Sequence, residues 1–324
     1  MAQILKKVVG HESQIQMLLQ ALEQQRFPST LLFVGQSGIG KKLVAQGFIQ
    51  YLVCEKDRGC GSCPACLRVE NGQSESFLHI TPESGVIRVD KAREIISFIS
   101  LQNPGKARII LIEDAQLMNE QTANALLKSL EEPPERTYFI LLVPSIASVL
   151  PTIRSRAQVV RFGALPLAQL EKISQIKEEW ILKSAQGSVE LAEQLQNEDL
   201  SLLRQRSLDI WVDLLEGAPE RAIETVKELV KDRQGALQVC RIWQQLLRDS
   251  GYYRHGVHEV IHKDFVHLIQ RLADYSDSVL GTLGVEAYGL EQDIRGNLDR
   301  SLAFENYLYQ SQNVFQTDTE ARHE

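Results

Sequence analysis

The 324-residue sequence has no apolar run long enough to cross a bilayer, which argues against membrane-spanning helices. Its first residues lack the apolar stretch and cleavage site of a signal peptide, so we expect a cytoplasmic protein without a membrane partner. Positive charge is also scarce, because 35 Lys and Arg stand against 42 Asp and Glu, a formal net charge of −7. A chain this acidic has no overall attraction for nucleic acid, so any DNA contact must be local or made by partner proteins.

Cysteine is rare and unevenly distributed. Four of the five cysteines follow the pattern C-x5-C-x2-C-x2-C, namely Cys54, Cys60, Cys63 and Cys66. In a reducing compartment such clustering favours a metal over disulfides, and four thiolates around one Zn²⁺ make a closed, structural site. Free thiols or a redox pair are the alternatives. The fifth, Cys240, lies in an apolar helical stretch and is predicted to be a buried thiol.

The first half of the chain alternates short apolar runs with helical patterns. Three runs are typical of buried strands: residues 31–34, 108–112 and 138–143. Helical spacing covers 13–24 and 41–52, and a third helix should begin after Asn119, a good N-cap residue. Pro133 and Pro134 should end that helix, because proline has no N–H to donate. This alternation predicts an α/β domain with a parallel sheet covered on both faces.

The second half of the chain is different in kind. After about residue 165 no comparable strand candidate follows, and helical spacing continues to about residue 313. We therefore predict an α/β plus all-α protein with an α/β domain over 1–164, a small helical domain over 165–206 and a larger one over 207–315. The polar residues 316–324 are predicted to be disordered.

A segment with the sequence GQSGIGKK fits the phosphate-loop pattern G-x-x-x-x-G-K between a strand and a helix. Its glycines, Gly35, Gly38 and Gly40, would let backbone N–H groups surround phosphate oxygens, and Lys41 would reach the β- and γ-phosphates. The next residue, normally Ser or Thr, ligates Mg²⁺, but here it is Lys42, whose ammonium cannot. We expect no hydrolysis, and binding of ATP or ADP without hydrolysis stays open.

Two carboxylates, Glu113 and Asp114, follow the buried run at 108–112. A P-loop ATPase needs acidic residues at such a strand end, one for Mg²⁺ and one to orient water. The usual aspartate–glutamate order is reversed here, which weakens the water-orienting assignment. The alternative is that carboxylates stand there only because the chain meets solvent.

These motifs occur together with two further runs, NALLKSLEEPP at 124–134 and PTIRSR at 151–156. The combination resembles the bacterial DNA polymerase III clamp-loader subunits of the AAA+ family, which include the ATP-hydrolysing gamma/tau and the delta-prime subunit. The specific motifs cover residues 8–161. The resemblance implies an AAA+ P-loop domain with a zinc module at 54–66, a helical lid over 165–206 and a collar or oligomerisation domain over 207–315.

The resemblance also implies a role for Arg156, which matches the arginine of the family's Ser-Arg-Cys motif, with Ala157 in place of cysteine. In the family this arginine is supplied in trans, as a finger that reaches the γ-phosphate held by a neighbouring subunit. The implied partners are the gamma/tau and delta subunits of a hetero-oligomer, the sliding clamp, and primed DNA through the assembly during DNA replication.

Several positions depart from the hydrolysing subunits. Lys42 replaces the Mg²⁺ ligand, Val143 and Pro144 stand where a sensor threonine is expected, and Glu190 stands where a lid arginine is expected. These losses favour a delta-prime-type stator that does not hydrolyse ATP. The alternatives are a gamma/tau-type ATPase and a zinc-stabilised nucleic-acid-binding module that would use a basic strip of Lys91, Arg93, Lys106 and Arg108.

Overall fold

The computed structural model describes residues 2–56, 58–72, 74–101 and 105–323, with side chains described as far as residue 318. The chain divides into two compact units. An α/β unit consists of residues 1–175 and 185–191, and a helical unit consists of 176–184 and 192–324. Each unit has its own hydrophobic core, so each is described by itself.

Five strands of the described residues form one parallel sheet in the α/β unit. The strands are β1 Thr30–Val34, β2 Phe77–Ile80, β3 Arg108–Ile112, β4 Thr137–Val143 and β5 Gln158–Arg161. Their order in the sheet is β2-β3-β4-β1-β5. The predicted parallel sheet is therefore confirmed, and its three central strands are the three that the apolar runs indicated.

Helices make up most of the remaining chain. In chain order they are α1 Glu12–Glu23, α2 Lys41–Val53, α3 Pro64–Glu70, α4 Val89–Ser100, α5 Glu120–Glu131, α6 Pro151–Arg154, α7 Leu167–Ser174, α8 Glu179–Ser184, α9 Val189–Leu195, α10 Glu198–Leu215, α11 Pro219–Leu229, α12 Arg233–Arg254, α13 Val266–Ala273, α14 Asp277–Arg295 and α15 Arg300–His323. With the parallel sheet, they confirm the predicted α/β plus all-α fold class.

The sheet is covered on both faces, because successive side chains of a strand point in opposite directions. On β1, Phe33 joins one core with Phe48 of α2, and Leu32 joins the other core with Leu126 of α5. All four side chains are fully buried. A strand buried on both faces must be apolar at every position, which is why the central strands stand out in the sequence as continuous runs.

The two edge strands did not stand out, because each is short and partly exposed. Strand β2 buries only its last residue, Ile80, and β5 buries only Val160. Neither has the apolar run of a central strand, so the sequence analysis assigned neither of them.

Helix α5 begins and ends as predicted. The Asn119 side chain accepts hydrogen bonds from the backbone N–H of Thr122 at 2.8 Å and from its hydroxyl at 2.7 Å. The helix ends at Glu131, two residues before Pro133. A cap at one end and prolines at the other set the length of this helix.

The core of the helical unit is rich in aromatic side chains. Trp211 of α10 and Trp243 of α12 meet edge to face with ring centroids 5.7 Å apart, and Phe304 of α15 packs on Trp243. The indole N–H of Trp243 donates to the Ser207 carbonyl at 2.8 Å. Cys240 is buried beside them, as predicted, and burial raises the pKa of its thiol to about 12.

A buried arginine ties together another part of the helical unit. Arg204 donates to the two carboxylate oxygens of Asp264 at 2.6 and 2.8 Å, and its guanidinium lies 4.3 Å from the centre of the Trp180 ring. Burial in an ion pair and on an aromatic face suits the planar guanidinium. Trp180, like the other two tryptophans, belongs to the helical unit.

The boundaries predicted within the second half differ from the structure. Helix α10 runs without a break through residues 206 and 207, where two domains were expected to meet. Neither glycine nor proline lies within α10, so nothing in its sequence interrupts the backbone hydrogen bonds. Residues 165–206, predicted as one small domain, divide between the two units.

The predicted disordered tail also differs from the structure. Helix α15 continues to His323 and includes residues 316–323, whereas Glu324 lies outside the described residues. Phe304, Leu308 and Phe315 are buried on one side of this helix. Among the helices described, none combines the length and the apolar character that a bilayer crossing requires.

Candidate functional site

The phosphate loop connects β1 to α2, as predicted. Gly40 precedes the helix with φ of 99°, and Gly38 has φ of 74°, a left-handed conformation that glycine adopts without strain. A Cβ atom at Gly38 would lie 2.2 Å from Oγ of Ser188 and 2.6 Å from Cβ of Glu190. Gly38 is thus required both by its backbone conformation and by the close approach of residues 188–190.

Lys41 is folded back onto its own loop. Its Nζ donates to the carbonyl oxygens of Gly35 and Gln36, the latter at 2.6 Å, and the residue is only 8% exposed. Burial lowers the pKa of Lys41, and the negative charges of Asp114 and Glu190 oppose that shift. The ammonium that would contact phosphate oxygens in an ATPase contacts carbonyl oxygens here.

Residues 188–190 pack directly on the phosphate loop. The backbone N–H of Val189 donates to the Gly38 carbonyl at 2.9 Å, and the Ser37 hydroxyl donates to Oε2 of Glu190 at 3.1 Å. The Glu190 carboxylate therefore lies at the loop, in the same region as the positive charge of Lys41. A phosphate group entering this loop would meet a negative charge.

Lys42 makes an ion pair with the second predicted element of the site. Its Nζ lies 2.6 Å from Oε1 of Glu113, and the same oxygen lies 2.7 Å from Nε2 of His79 on β2. Burial pushes the pKa of Glu113 up, but the hydrogen bonds from His79 and Lys42 outweigh it and hold that pKa below its ordinary value. The structure thus brings a cationic side chain, instead of a Mg²⁺ ligand, to this carboxylate.

Asp114, the other predicted carboxylate, acts on the loop through its charge, which raises the pKa of Lys41 against the larger lowering effect of burial. It is exposed and accepts a hydrogen bond from the Gln116 side chain at 3.1 Å. Its φ of 48° is left-handed, which aspartate tolerates better than most residues. At the end of β4, Val143 is buried and offers no polar side-chain atom to the loop. Of the predicted acidic pair, only Glu113 is joined to a phosphate-loop side chain.

The four clustered cysteines come together at the far end of α2. Their sulfur atoms all lie within 4.8 Å of one another, and those of Cys54 and Cys63 are 4.0 Å apart. Four sulfurs at about 2.3 Å from one Zn²⁺ would lie roughly 3.8 Å apart. The arrangement therefore fits a single tetrahedral metal ion, and the part of the prediction that requires a metal-sized tetrathiolate site is confirmed.

Backbone N–H groups favour the thiolate at two of these sulfurs, whereas burial raises the pKa of the Cys66 thiol. The N–H of Cys60 donates to Sγ of Cys54, and the N–H of Cys63 donates to Sγ of Cys60, both at 3.3 Å. Hydrogen bonds from the backbone and hydroxyl of Ser62 lower the pKa of Cys60 to about 6. Because a metal binds thiolates and not thiols, these donors prepare the site for a cation.

The fold requires a glycine next to the cysteine cluster. Gly59 has φ of 68°, and a Cβ atom there would lie 2.5 Å from Cβ of Ala2. Its carbonyl accepts a hydrogen bond from the N–H of Gln3 at 2.9 Å. The first residues of the chain thus pack on the cysteine loop and hold it in position.

Arg156 and the phosphate loop lie at opposite ends of the parallel strands. These ends are called here the amino edge and the carboxyl edge of the sheet. The loop follows Val34 at the carboxyl end of β1, whereas Arg156 precedes the amino end of β5, which pairs with β1 in parallel from Leu31↔Gln158 to Val34↔Arg161. Four paired residues separate the two edges by roughly 10 Å or more. Arg156 therefore does not lie at the phosphate loop of its own chain.

The Arg156 guanidinium is partly exposed and held by neighbouring groups. Its Nε donates to Oε2 of Glu131 at 2.8 Å, and its Nη1 donates to the Thr152 carbonyl at 3.1 Å. The Arg156 side chain is 29% exposed. The neighbouring Arg154 is exposed as well.

The basic strip considered above does not form an open cationic surface. Lys91 pairs with Glu83 and Glu94, and Arg93 pairs with the adjacent Asp90. Arg108, the first residue of β3, is 3% exposed and donates to a backbone carbonyl. Arg93 and Lys106 are exposed. The geometry thus offers little to a nucleic-acid backbone in this region.

The sequence analysis assigned no role to His79, which contacts Glu113, or to Glu131, which contacts Arg156. His79 lies on β2, the edge strand that was not identified, so nothing placed it beside Glu113. Glu131 lies within the NALLKSLEEPP run, but a glutamate near a helix end has no pattern of its own. A parallel pairing of β2 with β3 would have placed His79 and Glu113 on adjacent strand ends.

Residues 10–166 match a family model described as DNA polymerase III, delta subunit. A DNA polymerase III subunit delta′ from Pseudomonas aeruginosa is 32% identical over 226 residues, which cover 66% of this chain and 65% of that protein. The predicted resemblance to this clamp-loader family is confirmed. A DNA polymerase III subunit tau from Bacillus subtilis is 31% identical over 190 residues, which cover 57% of this chain and 33% of that protein.

A solved structure of a DNA polymerase III gamma subunit-related protein from Thermotoga maritima is 21% identical, with a TM-score of 0.48, and the match covers 93% of this chain and 99% of that chain. The two sequence relatives are matched over less than two thirds of their own length. The residues matched by the family model include the phosphate loop, the cysteine cluster and Arg156.

Proposed function

We propose that this chain is a delta-prime-type stator subunit of a DNA polymerase III clamp loader. In this role it does not hydrolyse ATP itself. It completes the ATP site of a neighbouring subunit through Arg156 and helps to load the sliding clamp onto primed DNA. The names of the relatives support the class of assembly, and the geometry of the two edges of the sheet supports the division of labour.

The observation that carries the proposal is the position of Arg156. It is a partly exposed arginine at the sheet edge opposite its own phosphate loop, so it is available to a group outside the chain. A planar guanidinium donates paired hydrogen bonds to phosphate oxygens and offsets charge that develops during phosphoryl transfer. An arginine at this edge suits a γ-phosphate bound by another subunit.

The absence of hydrolysis is supported by the charges at the phosphate loop. Lys42 pairs with Glu113, so the carboxylate that would help to hold Mg²⁺ already has a cationic partner. Glu190 adds a negative charge beside the loop. ATP or ADP remains a candidate ligand of Gly35, Gly38, Gly40 and Lys41, bound without turnover.

The rest of the assignment follows from the same proposal. The partners are gamma/tau and delta subunits in a cytoplasmic hetero-oligomer. The helices from α10 onward supply this chain's share of the collar, and the short helices α7, α8 and α9, within residues 165–206, correspond to the lid. The tetrathiolate site holds a structural Zn²⁺, bound by Cys54, Cys60, Cys63 and Cys66.

The test is the Arg156→Ala variant in an assembly reconstituted with the cognate gamma/tau and delta subunits. A finger supplied in trans is worth on the order of 10³–10⁵ in rate, so hydrolysis at the one site it serves should almost vanish. Total ATP turnover, measured with the clamp and primed DNA present, should fall by the share of that site.

The control is Arg154→Ala, which removes an exposed arginine from the same segment and should leave turnover unchanged. Both variants should fold and keep their metal. Turnover by the Arg156→Ala assembly equal to that of the unmodified assembly would contradict the finger assignment.

The tau relative keeps a second candidate in view, a gamma/tau-type ATPase. The two candidates separate in an assay of the isolated chain. The stator predicts no ATP hydrolysis above background. Turnover by the pure protein that disappears in Lys41→Ala would instead establish the ATPase.

A further inference from the structure

We propose that Glu131 is the positioning residue for Arg156, holding the guanidinium while its Nη2 stays available to a phosphate. This inference rests on the proposed function, since it gives Arg156 something to reach. It concerns a residue to which the sequence analysis assigned no role, and it follows from the hydrogen bonds around the guanidinium.

The hydrogen bonds engage two of the three guanidinium nitrogens. Arginine has five N–H donors in a fixed fork. Nε donates to Glu131 at 2.8 Å, and Nη1 donates to the carbonyl of Thr152 at 3.1 Å, with the Ser155 hydroxyl at 3.4 Å. With the described residues Nη2 makes no hydrogen bond, so both of its N–H groups remain for an incoming oxygen.

The backbone of Glu131 is fixed by the helix that it ends. Glu131 is the last residue of α5, which is capped by Asn119 and ended by the prolines at 133 and 134. The same helix buries Leu126 and Leu130 in the core of the sheet. A carboxylate at the end of such a helix has a fixed backbone position, which a loop residue would not have.

The backbone of Arg156 is also held close to that helix. The short helix α6 begins at Pro151 and buries Ile153 in the same core as Leu130. Thr152 on this helix supplies the second acceptor for the guanidinium. Two elements anchored in one core thus hold the arginine from two sides.

Such an arrangement matters because an arginine side chain has many rotamers. A free side chain loses rotamer entropy when it is fixed on a phosphate. Ordering the side chain beforehand lowers that cost for the step in which the phosphate is contacted. The Glu131–Arg156 pair is exposed on both sides, at 56% and 29%, so its effect should be modest.

The chain offers a matched control at the next position. Glu132 has the same side chain and is exposed, but it does not contact Arg156. Removal of the Glu132 carboxylate therefore tests a general effect of charge at this end of α5. Removal of the Glu131 carboxylate tests the hydrogen bond to Arg156.

The experiment is a double-mutant cycle in the reconstituted clamp-loader assembly. Four chains are compared: unmodified, Glu131→Ala, Arg156→Ala and the double variant, with Glu132→Ala as the control. The Arg156-dependent turnover is the difference between the unmodified and Arg156→Ala assemblies. Glu131→Ala should reduce this part about two- to fivefold, the size of one exposed ion pair, and Glu132→Ala should not.

Two further readouts separate positioning from a general structural effect. In the Arg156→Ala background, Glu131→Ala should cause no additional loss, because it acts only through the arginine. The reduction should appear in kcat and not in KM for ATP, since the neighbour's own loop binds the nucleotide. Glu131→Gln, which keeps an acceptor oxygen and the side-chain shape, should recover part of the loss and serves if the alanine variant folds poorly.

The outcomes distinguish this inference from the proposed function. Loss of turnover in Arg156→Ala with none in Glu131→Ala or Glu131→Gln would overturn the positioning role and leave the finger in place. An added loss from Glu131→Ala in the double variant would overturn it as well. No loss in Arg156→Ala would refute the finger, and with it the need for a positioning residue.

Discussion

The positively charged side chains at the carboxyl edge and at the amino edge of the parallel sheet differ in their partners. At the carboxyl edge, the cations of the phosphate loop are used within the chain, since Lys41 donates to loop carbonyls and Lys42 pairs with Glu113. At the amino edge, Arg156 donates to Glu131 and Thr152, and its Nη2 makes no hydrogen bond with the described residues. The cations at the phosphate loop thus have partners within the chain, whereas Arg156 has a guanidinium nitrogen without one among the described residues.

The largest effect is expected at the metal site, which lies at the end of α2 away from the phosphate loop. A change there tests whether the phosphate loop keeps its internal contacts when another part of the α/β unit is destabilised. Cys66→Ser should abolish binding of one zinc per chain, measured by elemental analysis of protein purified under reducing conditions. It should also lower the free energy of unfolding of the α/β unit by on the order of several kcal/mol. Hydrogen exchange should increase over residues 54–72 and much less in β1 and the phosphate loop.

Cys240→Ser is the control for that prediction, because it removes a buried thiol outside the cluster and should keep one zinc per chain. A Cys66→Ser protein with full zinc content would refute the tetrathiolate site. Loss of zinc without loss of stability would show instead that the metal is present but does not support the fold.

A smaller effect is expected on the affinity of the phosphate loop for a nucleotide. Glu190→Gln removes the negative charge beside the loop and keeps the side-chain shape. Affinity for ADP, measured by anisotropy of a fluorescent analogue with the isolated chain, should rise by about tenfold, the equivalent of ~1.4 kcal/mol for one nearby like charge. The gain should disappear in Glu190→Gln with Lys41→Ala, and equal affinity with and without Glu190 would contradict this account.

The smallest effect concerns the Lys42–Glu113 pair and its dependence on pH. The pKa of Glu113 is lower in the folded chain than its ordinary value, so the carboxylate stabilises the fold above the unfolded pKa and loses that contribution as pH falls through the folded pKa. At pH 7, Glu113→Gln should cost about 0.5–1 kcal/mol in denaturant unfolding, given the exposure of Lys42.

The difference between the two proteins should shrink as the pH is lowered below about 4.5, the ordinary value for glutamate. Glu94→Gln, which removes an exposed carboxylate paired with Lys91, should change stability less at pH 7. A constant difference between Glu113→Gln and the unmodified chain at all pH values would contradict the ion-pair explanation.

How well each feature could be predicted depended on how local its signal was. The central strands, the phosphate loop, the cap at Asn119 and the cysteine cluster are each written in a few consecutive residues, and the structure confirmed their placement. The edge strands β2 and β5 lack an apolar run and were not predicted. Because β2 was not predicted, the contact of His79 with Glu113 could not be predicted either. Contacts between residues far apart in sequence, such as Ser37 with Glu190, have no local signal.

The boundaries of the second half could not be located for a similar reason. Helical spacing marks the buried face of a helix but does not show which helices share a core. Helix α10 begins among polar residues near Asn197 and ends among the tryptophan-bearing core positions, so composition changes within one helix. The boundary predicted between residues 206 and 207 from helical spacing lies inside α10.

The tryptophans have a practical consequence as natural optical probes. Trp180, Trp211 and Trp243 all lie in the helical unit, and the α/β unit has none. Intrinsic fluorescence excited at the indole band therefore reports melting of the helical unit alone, while far-ultraviolet circular dichroism reports both units. The difference between the two signals gives a label-free measurement of the α/β unit, and it can be taken on the unmodified protein.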